Sequence, residues 1–105
     1  MQKKKLILSK SKIKNKRFKI EMINFPNIEN HAHHFGSSTN NTFIDHQDEK
    51  KKSSWIARHS VSKFWNDIHS PLFYSRILWD TPNFKKNIAL LAKKLDADII
   101  VKFKL

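Results

Sequence analysis

Hydrophobic and polar residues alternate along the first quarter of the chain, and this pattern predicts strands. From Lys12 to Met22 apolar residues alternate with charged ones, a period of two that is typical of a half-buried strand with a lysine-lined outer face. Leu6-Ile7-Leu8 predicts an earlier strand, with a basic loop at 9–16 between the two. Another strand is predicted from Ile28 to Phe35, ending at Gly36.

The second half of the chain has helical signals. Asp45 or Asp48 can cap a first helix that ends near His59. Ser70-Pro71 and Thr81-Pro82 each place an N-cap residue before a proline at the first helical position. After the second of these pairs, apolar residues recur at helical spacing, which predicts a long amphipathic helix: Phe84, Ile88, Leu91 and Leu95.

These elements together predict a small single domain of the α+β class. It begins with an N-terminal β-hairpin or short sheet, continues with two or three helices, and closes with a strand within 99–105, where alternation returns. Eight Phe, three Trp and one Tyr supply the large apolar side chains that a chain of 105 residues needs for its core. Trp55, Leu78 and Trp79 are assigned to that core in preference to an exposed stacking surface.

Charge is distributed unevenly along the chain. The net charge is +12, and the first 20 residues hold nine Lys or Arg and no acidic residue. We therefore divide the chain into a partly extended basic arm, 1–20, and a small aromatic-rich α+β domain, 21–105. Such an imbalance is typical of proteins that bind nucleic acid or acidic protein surfaces, although a lysine run is often only a solvated face.

The candidate contact residues are the basic side chains of the arm and of the first helix. They are Lys3, Lys4, Lys5, Lys10, Lys12, Lys14, Lys16, Arg17, Lys19, Lys50, Lys51 and Lys52. If the strands pack beside the first helix, these side chains form one positive surface. No recognised nucleic-acid-binding motif is present, so the expected contact is electrostatic and tolerant of sequence. Arg58 is expected to pair internally with an acid such as Asp45.

Catalytic and metal chemistry have weak support in the sequence. The six histidines lack the spacing of a zinc motif, and the absence of cysteine excludes thiolate ligands and disulfides. Asp45 and His46 form a conceivable hydrolytic pair, but no nucleophile or glycine-rich phosphate loop accompanies them. We predict no catalytic residue, no metal site and no cofactor. The apolar runs are too short for a membrane span.

Several short motifs follow one another between residues 34 and 82. They are His34-Phe35-Gly36, Asp45-His46-Gln47-Asp48, WIARH at Trp55–His59, Trp65, and Phe73–Trp79 with Ser75-Arg76 and Leu78-Trp79, followed by Thr81-Pro82. This series resembles a family of short, basic, uncharacterised proteins of nucleocytoplasmic large DNA viruses. Trp55 stands where that family usually has Tyr. The resemblance spans about Phe18 to Leu91 and carries over no catalytic residue.

The resemblance implies a viral structural protein. We expect a non-enzymatic component of a large DNA virus particle, a minor capsid or core protein, found in the virion and in the host cytoplasm during assembly. Its partners would be other virion proteins, DNA or RNA within a large assembly. The alternative is an RNA-binding accessory subunit of a large ribonucleoprotein such as an organellar ribosome. A third hypothesis is a metal-dependent nuclease that uses the histidines.

Overall fold

The alternating residues at the start of the chain form an antiparallel meander of three strands. In the computed structural model, which describes residues 3–25, 31–37 and 41–104, these are β1 (Lys5–Lys10), β2 (Lys16–Ile23) and β3 (His31–Ser37). Leu8 lies opposite Ile20 in the β1–β2 pair, and the same strand β2 pairs with β3 on its other side. The predicted strand start at Ile28 lies outside the described residues.

The last strand returns to the sheet beside the first. Strand β4 (Asp98–Val101) runs parallel to β1, which gives the strand order β3-β2-β1-β4. The backbone N–H of Asp98 donates to Lys4 O at 3.1 Å, and that of Lys102 donates to Leu8 O at 2.9 Å. A C-terminal strand is therefore confirmed, but it is shorter than the alternation over 99–105 suggested.

Helices follow the meander and cover one face of the sheet. They are α1 (Phe43–His46), α2 (Glu49–His59), α3 (Pro71–Ser75), which continues as a 3-10 turn (Arg76–Leu78), and α4 (Phe84–Leu95). The small α+β fold predicted from the sequence is confirmed. Within the described part of the chain, no helix has the length and apolar character needed to cross a lipid bilayer.

The core lies between these helices and the sheet. Leu6, Leu8 and Ile20 project from the covered face and are almost completely buried. Aromatic rings connect the layers: Phe18 lies 5.4 Å from the Phe84 ring of α4, measured between centroids. Large aromatic side chains thus provide the apolar burial that a domain of this size requires.

Two of the predicted helix caps form and one does not. Asp48 accepts hydrogen bonds from the backbone N–H groups of Lys50 and Lys51, and Ser70 accepts one from Leu72 N. The predicted cap at Thr81 is wrong. The Asn83 side chain caps α4 instead, and Thr81 Oγ1 donates to the buried Asn87 at 2.6 Å.

The basic arm and the rest of the chain share one sheet. The boundary after residue 20 falls inside β2, and β1 lies between β2 and β4. Leu6, Leu8 and Phe18, all within the first 20 residues, are buried in the common core. The basic segment is therefore a structural part of the domain, and its lysines occupy fixed positions on a hairpin.

Candidate functional site

A cleft opens between the β1–β2 turn, the end of β3 and helix α2. It consists of a hollow of about 500 Å³ and a neighbouring hollow of about 380 Å³, which share Asn41, Arg58 and Trp79. We call it the tryptophan cleft and define it by two sets of lining residues. The floor is Trp55, Leu72, Leu78 and Trp79, and the rim is Lys16, His46, Lys50, Lys51, Arg58 and His59.

Two parallel indole rings form much of the floor. Trp55 and Trp79 stack with centroids 4.8 Å apart and an interplanar angle of 6°, and each residue is 9% exposed. The assignment of Trp55, Leu78 and Trp79 to the core is confirmed by their burial. The two tryptophans also line the cleft, so one pair of rings serves both the core and the concave surface.

A second layer of contacts holds the indole pair in place. Trp65 packs against Trp55 with centroids 5.8 Å apart. The Arg76 guanidinium lies 4.3 Å from the Trp65 ring centroid and donates to Trp65 O at 3.4 Å and to Asn66 Oδ1 at 3.2 Å. Arg76 is therefore held by a cation–π contact and hydrogen bonds inside the domain.

Two histidines lie beside the indole rings. The His59 ring centroid is 4.6 Å from Trp55, and the His46 ring meets Trp79 edge-on at 5.5 Å. His46 Nδ1 accepts a hydrogen bond from the Asp48 N–H at 2.9 Å, which assigns the proton of the neutral ring to Nε2. His46 Nε2 is buried and has no hydrogen-bond partner within the described part of the chain.

The rim of the cleft is strongly cationic. Lys16, Lys50, Lys51 and Arg58 are exposed, and none of them belongs to an ion pair among the described residues. Asp48 is the one carboxylate among the described lining residues, and its side chain is engaged as the cap of α2. Four cations therefore face one carboxylate that already accepts two backbone hydrogen bonds.

An ion pair between β2 and the start of α1 supports the wall of the cleft. The Arg17 guanidinium donates to both Asp45 carboxylate oxygens, at 2.8 and 3.1 Å. Thr42 N–H and Oγ1 also donate to Asp45, at 3.0 and 2.6 Å. Burial favours a higher pKa for the Asp45 carboxyl, but the hydrogen bonds from Arg17 and Thr42 outweigh it, and the pKa lies below its usual value. The expected pairing of Asp45 with Arg58 is wrong, because Arg17 takes that place.

A glycine brings the end of β3 close to the floor. Gly36 has φ +81°, and a Cβ atom placed on it would lie 2.8 Å from Leu78 Cδ1 and 3.2 Å from Arg17 Cβ. A side chain at this position would meet both a left-handed backbone conformation and a steric clash. Glycine therefore allows strand β3 and the 3-10 turn to approach each other.

The predicted basic residues fall into separate groups. Lys10, Lys12, Lys14 and Lys16 surround the β1–β2 turn, where Asn15 takes a left-handed conformation that asparagine tolerates. Lys3, Lys4 and Lys5 lie at the opposite end of β1, about 17 Å away along a six-residue strand. The single positive surface expected from the sequence is divided: the cleft connects the turn with α2, and the first three lysines lie apart from it.

Several of the predicted contact residues already have partners within the domain. Lys3 pairs with Asp98 at 3.1 Å, and Lys19 pairs with Glu21 at 3.4 Å on the uncovered face of the sheet. Lys52 Nζ donates to Asp80 O at 2.7 Å and lies 5.0 Å from the Phe43 ring centroid. Arg17 is likewise paired with Asp45. Most of the predicted contact residues that lack a partner among the described residues therefore lie at the β1–β2 turn and along the cleft rim.

Arg58, His59 and Trp79 are absent from the predicted contact residues although they line the cleft. The sequence signal was the segment Trp55–His59, in which Arg58 follows Trp55 by three residues on α2 and thus lies on a neighbouring part of its surface. That segment was interpreted mainly as core. The cleft also contains Gly36, another member of the motif series.

Three histidines gather on a different part of the surface. The ring centroids of His31 and His33 are 6.4 Å apart on β3, and that of His69 lies 6.3 Å from His31. Among residues 3–25, 31–37 and 41–104, no group of three or more His, Cys, Asp or Glu side chains has a geometry that could hold a metal ion. The nuclease hypothesis therefore gains no support from this cluster.

Comparison with known proteins gives one match. Neither a curated protein nor a solved structure matches the chain. The model of a family of unknown function, DUF5754, matches residues 6–59, from the start of the sheet to the end of α2, which is just over half of the sequence. The chain therefore belongs to the family of unknown function DUF5754.

Proposed function

We propose that the protein is a non-enzymatic nucleic-acid-binding component of a large DNA virus particle, a minor capsid or core protein. Nucleic-acid binding is supported by the row of exposed cations that runs from the β1–β2 turn to the start of α2. Among the described lining residues the one carboxylate is Asp48, and it already caps α2. The virion part is supported by the motif series and its resemblance to short basic viral proteins. DUF5754 membership itself names no activity.

The position of the turn lysines favours contact with a polyanion. Lys12, Lys14 and Lys16 are exposed on a tight turn, where Lys16 N–H donates to Ile13 O at 3.1 Å. Like charges held this close repel one another, and a bound polyanion relieves that repulsion while its counterions are released. Because the rest of the sheet anchors the hairpin, the backbone that carries these lysines loses little conformational freedom on binding.

The test is a salt titration with a charge-reversed turn. Deleting the first 20 residues would remove β1 and its buried leucines, so substitution is the interpretable change. We expect Lys12→Glu, Lys14→Glu and Lys16→Glu together to weaken binding to DNA by at least about tenfold near 0.1 M salt, and to reduce the slope of log affinity against log salt.

The matched control reverses three exposed lysines of α4: Lys85→Glu, Lys86→Glu and Lys93→Glu. This variant changes the net charge by the same amount as the turn variant, but at positions away from the turn. Equal losses in the two variants, or no binding by the unmodified chain, would contradict the proposed function. A marked preference for structured RNA over DNA would favour the alternative of a ribonucleoprotein subunit over a virion component.

A further inference from the structure

We propose that the tryptophan cleft binds single-stranded nucleic acid, with an unpaired base over its indole floor and the neighbouring phosphates on its cationic rim. The inference rests on the proposed function and specifies the form of nucleic acid. It applies to the cleft, whereas the lysines of the β1–β2 turn alone would bind any polyanion.

The shape of the cleft favours an unpaired base. Its hollows, about 500 and 380 Å³, fall within the range of ~300–1,000 Å³ typical of small-molecule sites. Trp55, Trp79 and the half-buried Leu72 give the floor its exposed apolar atoms, and a base that enters the cleft lies against them. In a duplex the bases are stacked and paired, so a base reaches such a floor only if it is flipped out, which costs free energy.

The charges are arranged along a path rather than around a single point. Lys16 lines the larger hollow, Arg58 lines both hollows, and Lys50 and Lys51 line the smaller one. Because the two hollows are neighbours that share Asn41, Arg58 and Trp79, consecutive phosphates of one strand can contact these cations in turn. A single nucleotide would reach only part of this path, which favours a strand as the ligand.

Side chains, rather than the start of helix α2, hold the phosphates in this arrangement. Asp48 Oδ1 already accepts hydrogen bonds from Lys50 N and Lys51 N, at 3.0 and 3.3 Å. The helix N-terminus is thus occupied by the protein's own carboxylate. Arg58 lines both hollows, so it is the cation placed to contact both a phosphate and a base on the floor.

The floor is held rigidly before any ligand binds. Trp55 contacts both Trp79 and Trp65. Arg76 holds Trp65 by a cation–π contact and one hydrogen bond to Trp65 O, and it donates a second hydrogen bond to Asn66 Oδ1. A preorganised aromatic surface loses little conformational entropy when a base contacts it. The preformed aromatic floor distinguishes the cleft from a flexible lysine-rich surface.

The experiment measures binding of the full chain to two labelled probes near 0.1 M salt. One is a single-stranded oligothymidylate of about ten nucleotides, and the other is a duplex with the same number of phosphates. We expect the single strand to bind about tenfold more tightly and to change the fluorescence of the buried tryptophans. Arg58→Gln should weaken single-strand binding by about five- to tenfold and affect the duplex much less.

The matched control is Lys85→Gln, which removes one charge from an exposed position on α4 and should change either affinity by less than about twofold. Circular dichroism verifies that both variants fold. Duplex binding equal to or tighter than single-strand binding would overturn the cleft inference and leave the proposed function standing. Binding of thymidine monophosphate as tight as that of the oligomer would also overturn it. Failure to bind either polymer would contradict the proposed function itself.

Discussion

At the scale of single residues, one side chain often has both a structural and a surface position. Trp55 and Trp79 are buried, each only 9% exposed, and both still line the cleft. Core assignment from the sequence was correct for both, because a small domain must bury its tryptophans. That assignment did not reveal the cleft, since the two residues lie on different elements and their meeting depends on tertiary packing.

Gly36 provides a direct test of the close approach beneath the cleft. Gly36→Ala should lower the free energy of unfolding by about 1–3 kcal/mol, because the new methyl group meets Leu78 and the backbone must keep φ +81°. Urea unfolding measures the change. Ala32→Gly, at an exposed position of the same strand, should cost less than about 1 kcal/mol. Equal losses of unfolding free energy in the two variants would contradict the close approach of Gly36 to Leu78.

We predict that His33 makes the stability of the domain depend on pH. Burial lowers the pKa of its ring below 6.5, and the charges of His31 and His69 lower it further, while the Asp67 charge opposes them. Below pH 6.5 the unfolded chain therefore binds more protons at this site than the folded chain, so stability is complete above that pH and falls as the pH decreases through it.

The variant His33→Phe should remove this contribution, because a phenyl ring retains the packing against Tyr74 without titrating. Melting temperature followed between about pH 5 and pH 8 measures the difference. We expect a flatter profile in the variant than in the unmodified chain. Parallel profiles would contradict the assignment of the pH dependence to His33.

At the scale of elements, features that depend on neighbouring residues were predicted better from the sequence than features that depend on tertiary packing. Asp48 and Ser70 cap helices as expected, since a cap bonds to backbone N–H groups two or three residues away. Thr81 does not cap α4 because that helix begins only at Phe84, where the Asn83 side chain accepts from Lys86 N–H. The Thr81 hydroxyl instead accepts from Asn83 N–H and donates to buried Asn87. The pairing of β1 with β4 depends on residues more than 90 positions apart, which no local pattern encodes.

The junction between β2 and α1 depends on one carboxylate. Asp45→Ala should destabilise the domain by about 1–3 kcal/mol, because Arg17 loses its partner and Thr42 its capping interaction. Glu49→Ala, at an exposed position in the first turn of α2, should cost less than about 1 kcal/mol. Chemical denaturation compares the two, and a similar small cost for both would contradict a structural role for the Arg17–Asp45 pair.

At the scale of the whole molecule, the fold places the basic residues on a rigid frame. The charge imbalance identifies the basic segments, but the sequence alone gives no means of separating cations engaged internally, such as Lys52, from those at the cleft. The fold brings Lys16, Arg58 and Trp79 together from three segments. The central claim is that this junction is where nucleic acid binds.

The most direct measurement is an NMR titration of the labelled full chain with single-stranded oligothymidylate. The chain has three tryptophans, so three indole N–H signals report on Trp55, Trp65 and Trp79. We expect the signals of Trp55 and Trp79, and the backbone amides near Lys16 and Arg58, to shift more than those of α4. Shifts confined to the Lys3–Lys5 end of the sheet or to α4, or no shifts at all, would contradict the account.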